Sequence, residues 1–440
     1  MKIVNIKSSV PGKVKTSLNE AIADAVAMRQ KEAGKADRSF SRKRLLPIET
    51  MFKLLLSMRG GSLKKELVDA GIDATSSAFV QRRKQMDWMD FENLFESFNN
   101  RSQDTETFKG YQVLAIDGTA VNLPTNPKAS SYMSNGGKRK GYNQLHANIL
   151  YDVLSKTYTH CIIQPQPETD EVEALWFMLR WYNFPSNTLI VADRGYESYN
   201  NFAYLLESGL HFLIRVRQDR SAMREIAKLP MMELDTKVSF TITTTQTNKD
   251  KANGYILVQT NRNRIQSSKS RGQRWDFPSP YPMSFRVVRV LLDTGQYETL
   301  VTNLPPEITA QELKELYHAR WGIETAFREL KYGLGLVNLH GKSDDFAMQE
   351  IYCAMTMANF CSRIVNQVII EQDDSRIYEY QVNHTMAVHL CKKYFREENG
   401  NGRELMRNIS KNIEPVRPGR QDQRNLRAKG FTGFIYRVSA

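Results

Sequence analysis

The alternation of apolar and polar positions divides the chain into a helical beginning, a strand-rich middle and a helical end. Over residues 19–33 and 47–59 apolar residues recur at helical spacing, densest at Met51, Phe52, Leu54 and Leu55, until Gly60-Gly61 breaks the pattern. A short helix is predicted over 62–70. After Gly71-Ile72-Asp73 another opens behind Ser/Thr caps and ends in the basic turn Arg82-Arg83-Lys84. From residue 111 the period changes. An apolar strand over 111–119 ends in Asp117 and Gly118. Strand patterns follow at 144–152 and 157–164, then a helix at 171–182, a strand ending in Asp193, a helix at 200–208 and a strand at 211–216. Between 219 and 304, the alternation of Val238, Phe240 and Ile242 and strand-like runs at 255–260, 284–292 and 297–302 predict a separate β-rich module. Leu313, Leu316, Ala319, Ile323, Ala326 and Leu330 then form a single apolar stripe, so residues 317–331 read as one helix. A long apolar helix is predicted over 346–368 and another helix over 385–394.

The order of three strands, helix, strand, helix, strand is that of a ribonuclease-H-like arrangement. The expected class is α/β: a ribonuclease-H-like catalytic core interrupted by a β-rich insertion, with helical N- and C-terminal domains. The boundaries fall at 1–105, 106–218, 219–304, 305–370 and 371–440. In that arrangement the first and fourth strands are neighbours, so Asp117 and Asp193 converge; taken singly, each is more often a strand-end turn residue. On the helix over 317–331, a period of 3.6 sets Tyr317, Arg320, Glu324 and Lys331 within roughly 60° of one another, with Arg328 close by. A carboxylate that holds a metal, flanked by cations that hold phosphates, suits phosphoryl transfer. The alternative is a solvated helix face carrying i,i+3 and i,i+4 pairs.

Charge sharpens the choice of partner. The net charge of +13 makes nucleic acid the first candidate. No run of 18 apolar residues predicts a membrane span, and residues 1–15 carry no apolar signal-peptide core. The four cysteines are scattered without a CxxC pair, which argues against zinc or a disulfide framework and for a reduced, cytoplasmic compartment. Helix, short turn and basic helix over 62–84 suggest a helix-turn-helix reader with Arg82, Arg83 and Lys84 on DNA. Arg42-Lys43-Arg44, the loop at 134–141 and the basic tail at 418–427 are further candidates. So is the run Arg262, Arg264, Lys269, Arg271 and Arg274, with Trp275 and Tyr281 available for stacking. A solvated loop or tail is the plain alternative for each.

Tyr317, Arg320, Glu324 and Lys331 match without a gap the Tyr-x2-Arg-x3-Glu-x6-Lys (YREK) signature of DDE transposases of bacterial insertion sequences, the insertion-sequence-4-like group. Asp117-Gly118-Thr119 and Asp193-Arg194-Gly195-Tyr196 resemble that family's two aspartate blocks, and Thr302-Asn303-Leu304 also fits; the resemblance covers roughly residues 110 to 365. It implies that Asp117, Asp193 and Glu324 are catalytic and hold two Mg²⁺ ions (Mn²⁺ as substitute). It further implies that Tyr317, Arg320 and Lys331 contact phosphates, and that Trp275 or Trp321 holds a base flipped during a hairpin step. The implied partners are double-stranded DNA, as element ends and target, and a second copy of the chain in a synaptic complex, in the bacterial cytoplasm. A nuclease of the same fold without strand transfer and a silent DNA-binding regulator are the rival readings. A hydrolase of other substrates leaves the basic charge and the phosphate-clamp helix unexplained.

Overall fold

The computed structural model describes residues 9–33, 45–58, 60–101, 106–134, 141–218, 223–258, 275–372 and 377–416. Five helices come first: α1 (Val10–Ala33), α2 (Ile48–Ser57), α3 (Leu63–Asp69), α4 (Ser76–Arg83) and α5 (Trp88–Asn100). Side-chain caps start three of them. Ser62 accepts from Lys65 N–H, Thr75 from Ala78 N–H, and Asp87 forms a reciprocal capping box with Asp90.

The middle of the chain then runs β1 (Gln112–Leu123), β2 (Tyr132–Met133), β3 (Tyr142–Asp152), β4 (Thr157–Pro165), α6 (Glu171–Trp181), β5 (Thr188–Ala192), α7 (Tyr199–Glu207) and β6 (His211–Val216). It continues through α8 (Arg224–Ala227), β7 (Leu234–Thr243), α9 (Asn248–Ala252), β8 (Ile256–Leu257), β9 (Tyr281–Leu291) and β10 (Tyr297–Thr302). These strands form one ten-stranded sheet in the order β2-β3-β1-β5-β6-β10-β9-β7-β8, with β4 on β3. β1 pairs antiparallel with β3 and parallel with β5, and β5 pairs parallel with β6. The strands of 219–304 do not stand apart as a separate module. β10 pairs antiparallel with β6, from Thr302↔Leu213 to Thr299↔Val216, so they lengthen the central sheet. The physical reason is an unprotected edge: β6 would otherwise present a row of unpaired backbone groups.

The end of the chain is helical: α10 (Ala310–Ala319), α11 (Trp321–Arg328), a π turn over Glu329–Gly333, α12 (Asp344–Val365), α13 (His384–Arg396) and α14 (Gly402–Lys411), the last two bracketed by the small pair β11 (Tyr380–Val382) and β12 (Ile413–Pro415). Among the described residues no helix is long and apolar enough to cross a membrane.

Three apolar clusters pack on the sheet, two on one face and one on the other. Alternate residues of β1 enter different ones, as a period of two requires: Ala115 joins the cluster of α1, α2, α5 and α12, whereas Leu114 and Ile116 join that of α6 and α7. The third lies beneath α10, between Leu313, Leu316 and Tyr317 and the strand residues Leu189, Val191, Leu213 and Leu300. α12 ties the helical beginning to the sheet. Its Asn359 carboxamide accepts from Tyr158 N–H (2.8 Å) and donates to Asn99 Oδ1 (2.8 Å), linking β4 to α5.

One such tie corrects the expectation of a helix-turn-helix reader. Arg83 is 2% exposed, and its guanidinium donates to Gln349 Oε1 (2.7 Å), Glu350 Oε1 (2.8 Å) and Phe346 O (2.6 Å), all on α12. Arg82 is also buried, donating to Leu46 O and Gln85 Oε1. Both arginines are spent on internal partners and cannot face DNA; Lys84 alone of the three is exposed.

Burial alone would raise the Glu350 carboxyl, but Arg83 and His340 hold it far below the usual carboxylate range. A depressed folded value means stability that is present above the unfolded value, about 4.3, and is lost as pH falls. Arg83→Ala should cost about 3–5 kcal/mol, because it strands a buried carboxylate. Urea unfolding at neutral pH reads this as a lower midpoint, and the variant should lose less further stability on acidification than the parent. A parental midpoint would mean that Arg83 carries no structural weight.

Candidate active site

Asp117 lies within β1 and not at its end, because the strand runs on to Leu123 with Ala120-Val121-Asn122-Leu123 still paired to β3. The parallel register with β5 reads Leu114↔Ile190 and Ala115↔Val191. Two steps further, Asp117 stands beside Asp193, the residue that leaves β5. Each aspartate is oriented by the glycine near it. Gly118 N–H donates to Asp117 Oδ1 (2.8 Å), and Gly195 N–H donates to Asp193 Oδ1 (2.7 Å), which caps a single 3₁₀ turn over Arg194–Tyr196. A Cβ on Gly118 would collide with His146 Nε2 and lie 2.8 Å from Glu171 Oε1. Close approach of that pair is what requires glycine there.

Glu324 arrives on α11, which packs on the face of the sheet that Ala115, two residues before Asp117, also enters. The single helix expected over 317–331 is broken. α10 ends and α11 begins at Arg320, and the tail winds into the π turn, where Leu334 N–H reaches Glu329 O. The break redirects the apolar stripe. Leu313 and Leu316 pack under α10 against β5 and β6, while Ile323, Ala326 and Leu330 join the cluster around α12. Arg320 sits at the pivot with its side chain 6% exposed. It donates from Nη2 to Glu324 Oε1 (3.2 Å), and its Nη1 lies 3.7 Å from Asp117 Oδ2. Asp193 also acts on it electrostatically. Burial lowers the proton affinity of Arg320, but Tyr317 and the three acids outweigh that and raise it.

The acids are not fully neutralised by this one cation. Desolvation pushes the Asp117 carboxyl up to about 6; the Gly118 amide and Arg320 pull it down, while Asp193 and Glu171 add to the rise. Among the described residues no three His, Cys, Asp or Glu side chains form a compact cation cluster. The donor set nevertheless fits a hard divalent ion: three carboxylates, one of them buried enough to hold its proton, would gain from a cation of higher charge than Arg320.

Glu171 is a fourth acid that the sequence reading missed. It opens α6, and its Oε1 lies 3.1 Å from His146 Nε2 on β3. Nothing in its local pattern distinguishes it from an ordinary first-turn acid. Only the pairing of β1 with β3, Ala120↔His146, brings it beside Asp117.

The remaining candidates divide. Tyr317 is 1% exposed in the core under α10, with Arg215 acting electrostatically on its hydroxyl; contrary to expectation, it is not presented to a phosphate. Trp321 is 48% exposed beside the site, its ring centroid 5.6 Å from the Arg320 guanidinium. Lys331 is half-buried on the π turn, and desolvation lowers its pKa. Trp275 is 7% exposed, donates to Pro278 O (3.2 Å) and packs edge-on to Tyr281, so it is core and not a stacking platform. Tyr281 is likewise buried, its hydroxyl donating to Glu207 Oε1 (2.8 Å). Arg42, Lys43, Arg44, the loop at 135–140, Arg262, Arg264, Lys269, Arg271, Arg274 and the tail at 418–427 lie outside the described residues.

Residues 108–360 match the family model of the transposase DDE domain. No curated protein matches the chain. Among solved structures, the chain is similar to the cryo-EM structure of the piggyBac transposase synaptic complex with hairpin DNA. That match has 12% identity and a TM-score of 0.40, and covers 96% of this chain and 87% of that one.

Gly118→Ala should cost about 1–3 kcal/mol through the collision with His146. Adding His146→Ala should recover most of that loss, a coupling that urea midpoints of the two single variants and the double variant measure. Additive losses would show that the strand backbone, and not the imidazole, sets the constraint.

Proposed function

The chain belongs to the transposase DDE domain family, and we propose that it cuts the ends of an insertion-sequence element and joins them to target DNA, with Asp117, Asp193 and Glu324 as its catalytic acids. The observation that carries this reading is the meeting of acids from distant stretches around one buried guanidinium: Asp117 and Glu324 both engage Arg320, and Asp193 leaves the strand next to that of Asp117. β1, β3 and β4 antiparallel, then β5 and β6 parallel with α6 and α7 between, suit a ribonuclease-H-like core, and the spacing from Tyr317 to Lys331 suits the insertion-sequence-4-like group.

The three carboxylates would hold divalent cations, Mg²⁺ or Mn²⁺ in its place. Bound there, such ions supply Lewis-acid stabilisation of the attacking and leaving oxygens. The protein's own residues bind and orient. Arg320 balances part of the acids' charge and carries the planar fork that suits a phosphate once DNA is present. Lys331, half-buried with its proton affinity lowered, is a second phosphate contact. Trp321 is the exposed aromatic beside the acids and is the residue we assign to a flipped base if cleavage passes through a hairpin. Work on two element ends calls for two copies of the chain in a synaptic complex on double-stranded DNA, in the bacterial cytoplasm.

The test is incubation of purified protein with DNA bearing the element's ends, in Mg²⁺, beside Glu324→Gln. The parent should cut the ends and join them to target DNA, and the variant should be slower by roughly a hundredfold or more, about 2.7 kcal/mol of barrier. Cutting without joining would favour a nuclease. Undiminished cutting by the variant would remove Glu324 from the site.

A further inference from the structure

β5 and β6 run parallel in register Ala192↔Ile214, so the residues just beyond them leave the sheet side by side. Arg194 follows β5, Arg215 lies near the end of β6 and Arg217 just past it. Together with Gln218, Gln296, Tyr297 and Thr299 they line a cleft of about 260 Å³. Val216 turns into the core beneath α7, and the period of two turns Arg215 toward the α10 face.

Three guanidinium groups in one cleft repel one another unless anions intervene. Among the described residues only the Arg215 guanidinium pairs with a carboxylate, the buried Glu298, with Nε 3.4 Å from Oε1; Glu197 Oε2 accepts from the Arg217 backbone N–H (2.9 Å). Arg194 and Arg217 make no ion pair among the described residues. Arg215 is held from two further directions. The Tyr317 hydroxyl interacts with it electrostatically, and the other Glu298 oxygen lies 3.5 Å from His318 on the same helix. The floor is fixed as well: Gln218 donates to Tyr297 O (2.7 Å) and accepts from Thr299 Oγ1 (2.9 Å). A fixed floor and a preset arginine lower the ordering cost of binding, and a cleft whose cations outnumber its acids concentrates an anionic ligand.

We propose that Arg194, Arg215 and Arg217 form a second phosphate clamp, which takes a backbone phosphodiester of DNA alongside the cut and not the phosphate being cut. Its place follows from Arg194, the residue next to Asp193; its chemistry follows from forked donors that match phosphate oxygens. The signature tyrosine then acts on DNA through Arg215. The inference rests on the transposase reading.

The experiment measures binding of the full chain to a short duplex bearing the element's end, without divalent metal, across a range of salt. Arg217→Ala should weaken binding and flatten the slope of log K against log salt by about 0.9, one phosphate contact, and Arg217→Lys should restore most of that slope. Equal urea midpoints would confirm that all three proteins fold. A parental slope and affinity in Arg217→Ala would overturn the clamp. Inorganic phosphate alone is the second probe: saturable, Arg217-dependent binding with no change in the DNA slope would reassign the cleft to a free anion and overturn the DNA assignment. Arg217-dependent DNA binding by a parent that never cuts would leave the clamp standing and sink the transposase reading. A parent that binds no DNA would sink both.

Discussion

A buried guanidinium must find counter-charge, and that requirement at Arg320 organises the candidate site. With 6% of its side chain exposed, Arg320 stays folded inward because Asp117 and Glu324 sit at its two terminal nitrogens. Removing a charge from water costs several kcal/mol after relaxation, so an arrangement with the acids elsewhere would be a high-energy one. The arginine therefore couples a central strand to a helix that reaches it from the far end of the sequence. It does so incompletely. Its Nε has no hydrogen-bond partner among the described residues, and Asp117 still holds its proton up to about 6. The site keeps its acids together yet leaves charge for another cation.

The broken helix explains how one short signature serves two surfaces. Before Arg320 the apolar stripe packs on β5 and β6; after it, the stripe packs toward α12. Tyr317 is thereby drawn into one core, against Arg215, while Glu324 and Trp321 emerge on the other side of the pivot. A straight helix would have lined up all four signature residues on one arc. The π turn then changes the phase again before Lys331.

What was legible in the sequence was local and periodic. The two apolar runs ending in acids, the helices between them and the stripe at 313–330 each announce themselves within about twenty residues, and the two strands that carry the acids pair in the sheet. What was not legible depended on distant partners. Arg83 resembles a surface cation until Glu350, 267 residues away, is placed beside it. Trp275 follows a basic stretch and reads as a groove aromatic, but Phe277 and Tyr281 enclose it. The apolar run stops at Asp117 and Gly118, but the pairing of Leu123 with Asn143 carries the strand onward. The segment at 219–304 has the alternation of an independent sheet, and alternation says nothing about which edge a strand will join.

The same limit explains why Glu171 and the cleft of Arg194, Arg215 and Arg217 escaped the sequence. Neither is a motif. Glu171 becomes part of the acid cluster only because β3 sets His146 opposite Ala120, one pleat beyond Thr119. The arginines become neighbours only because β5 and β6 end at the same level of a parallel pair. In an α/β sheet, residues just past the carboxyl ends of adjacent parallel strands come together whatever their separation in sequence, and ligands gather there for that reason. Asp193 and the cleft lie at this edge. Asp193, beside Asp117, and the cations proposed to hold neighbouring phosphates are thus placed by one topological fact, the parallel run of β1, β5 and β6, while Glu324 is brought to them by α11.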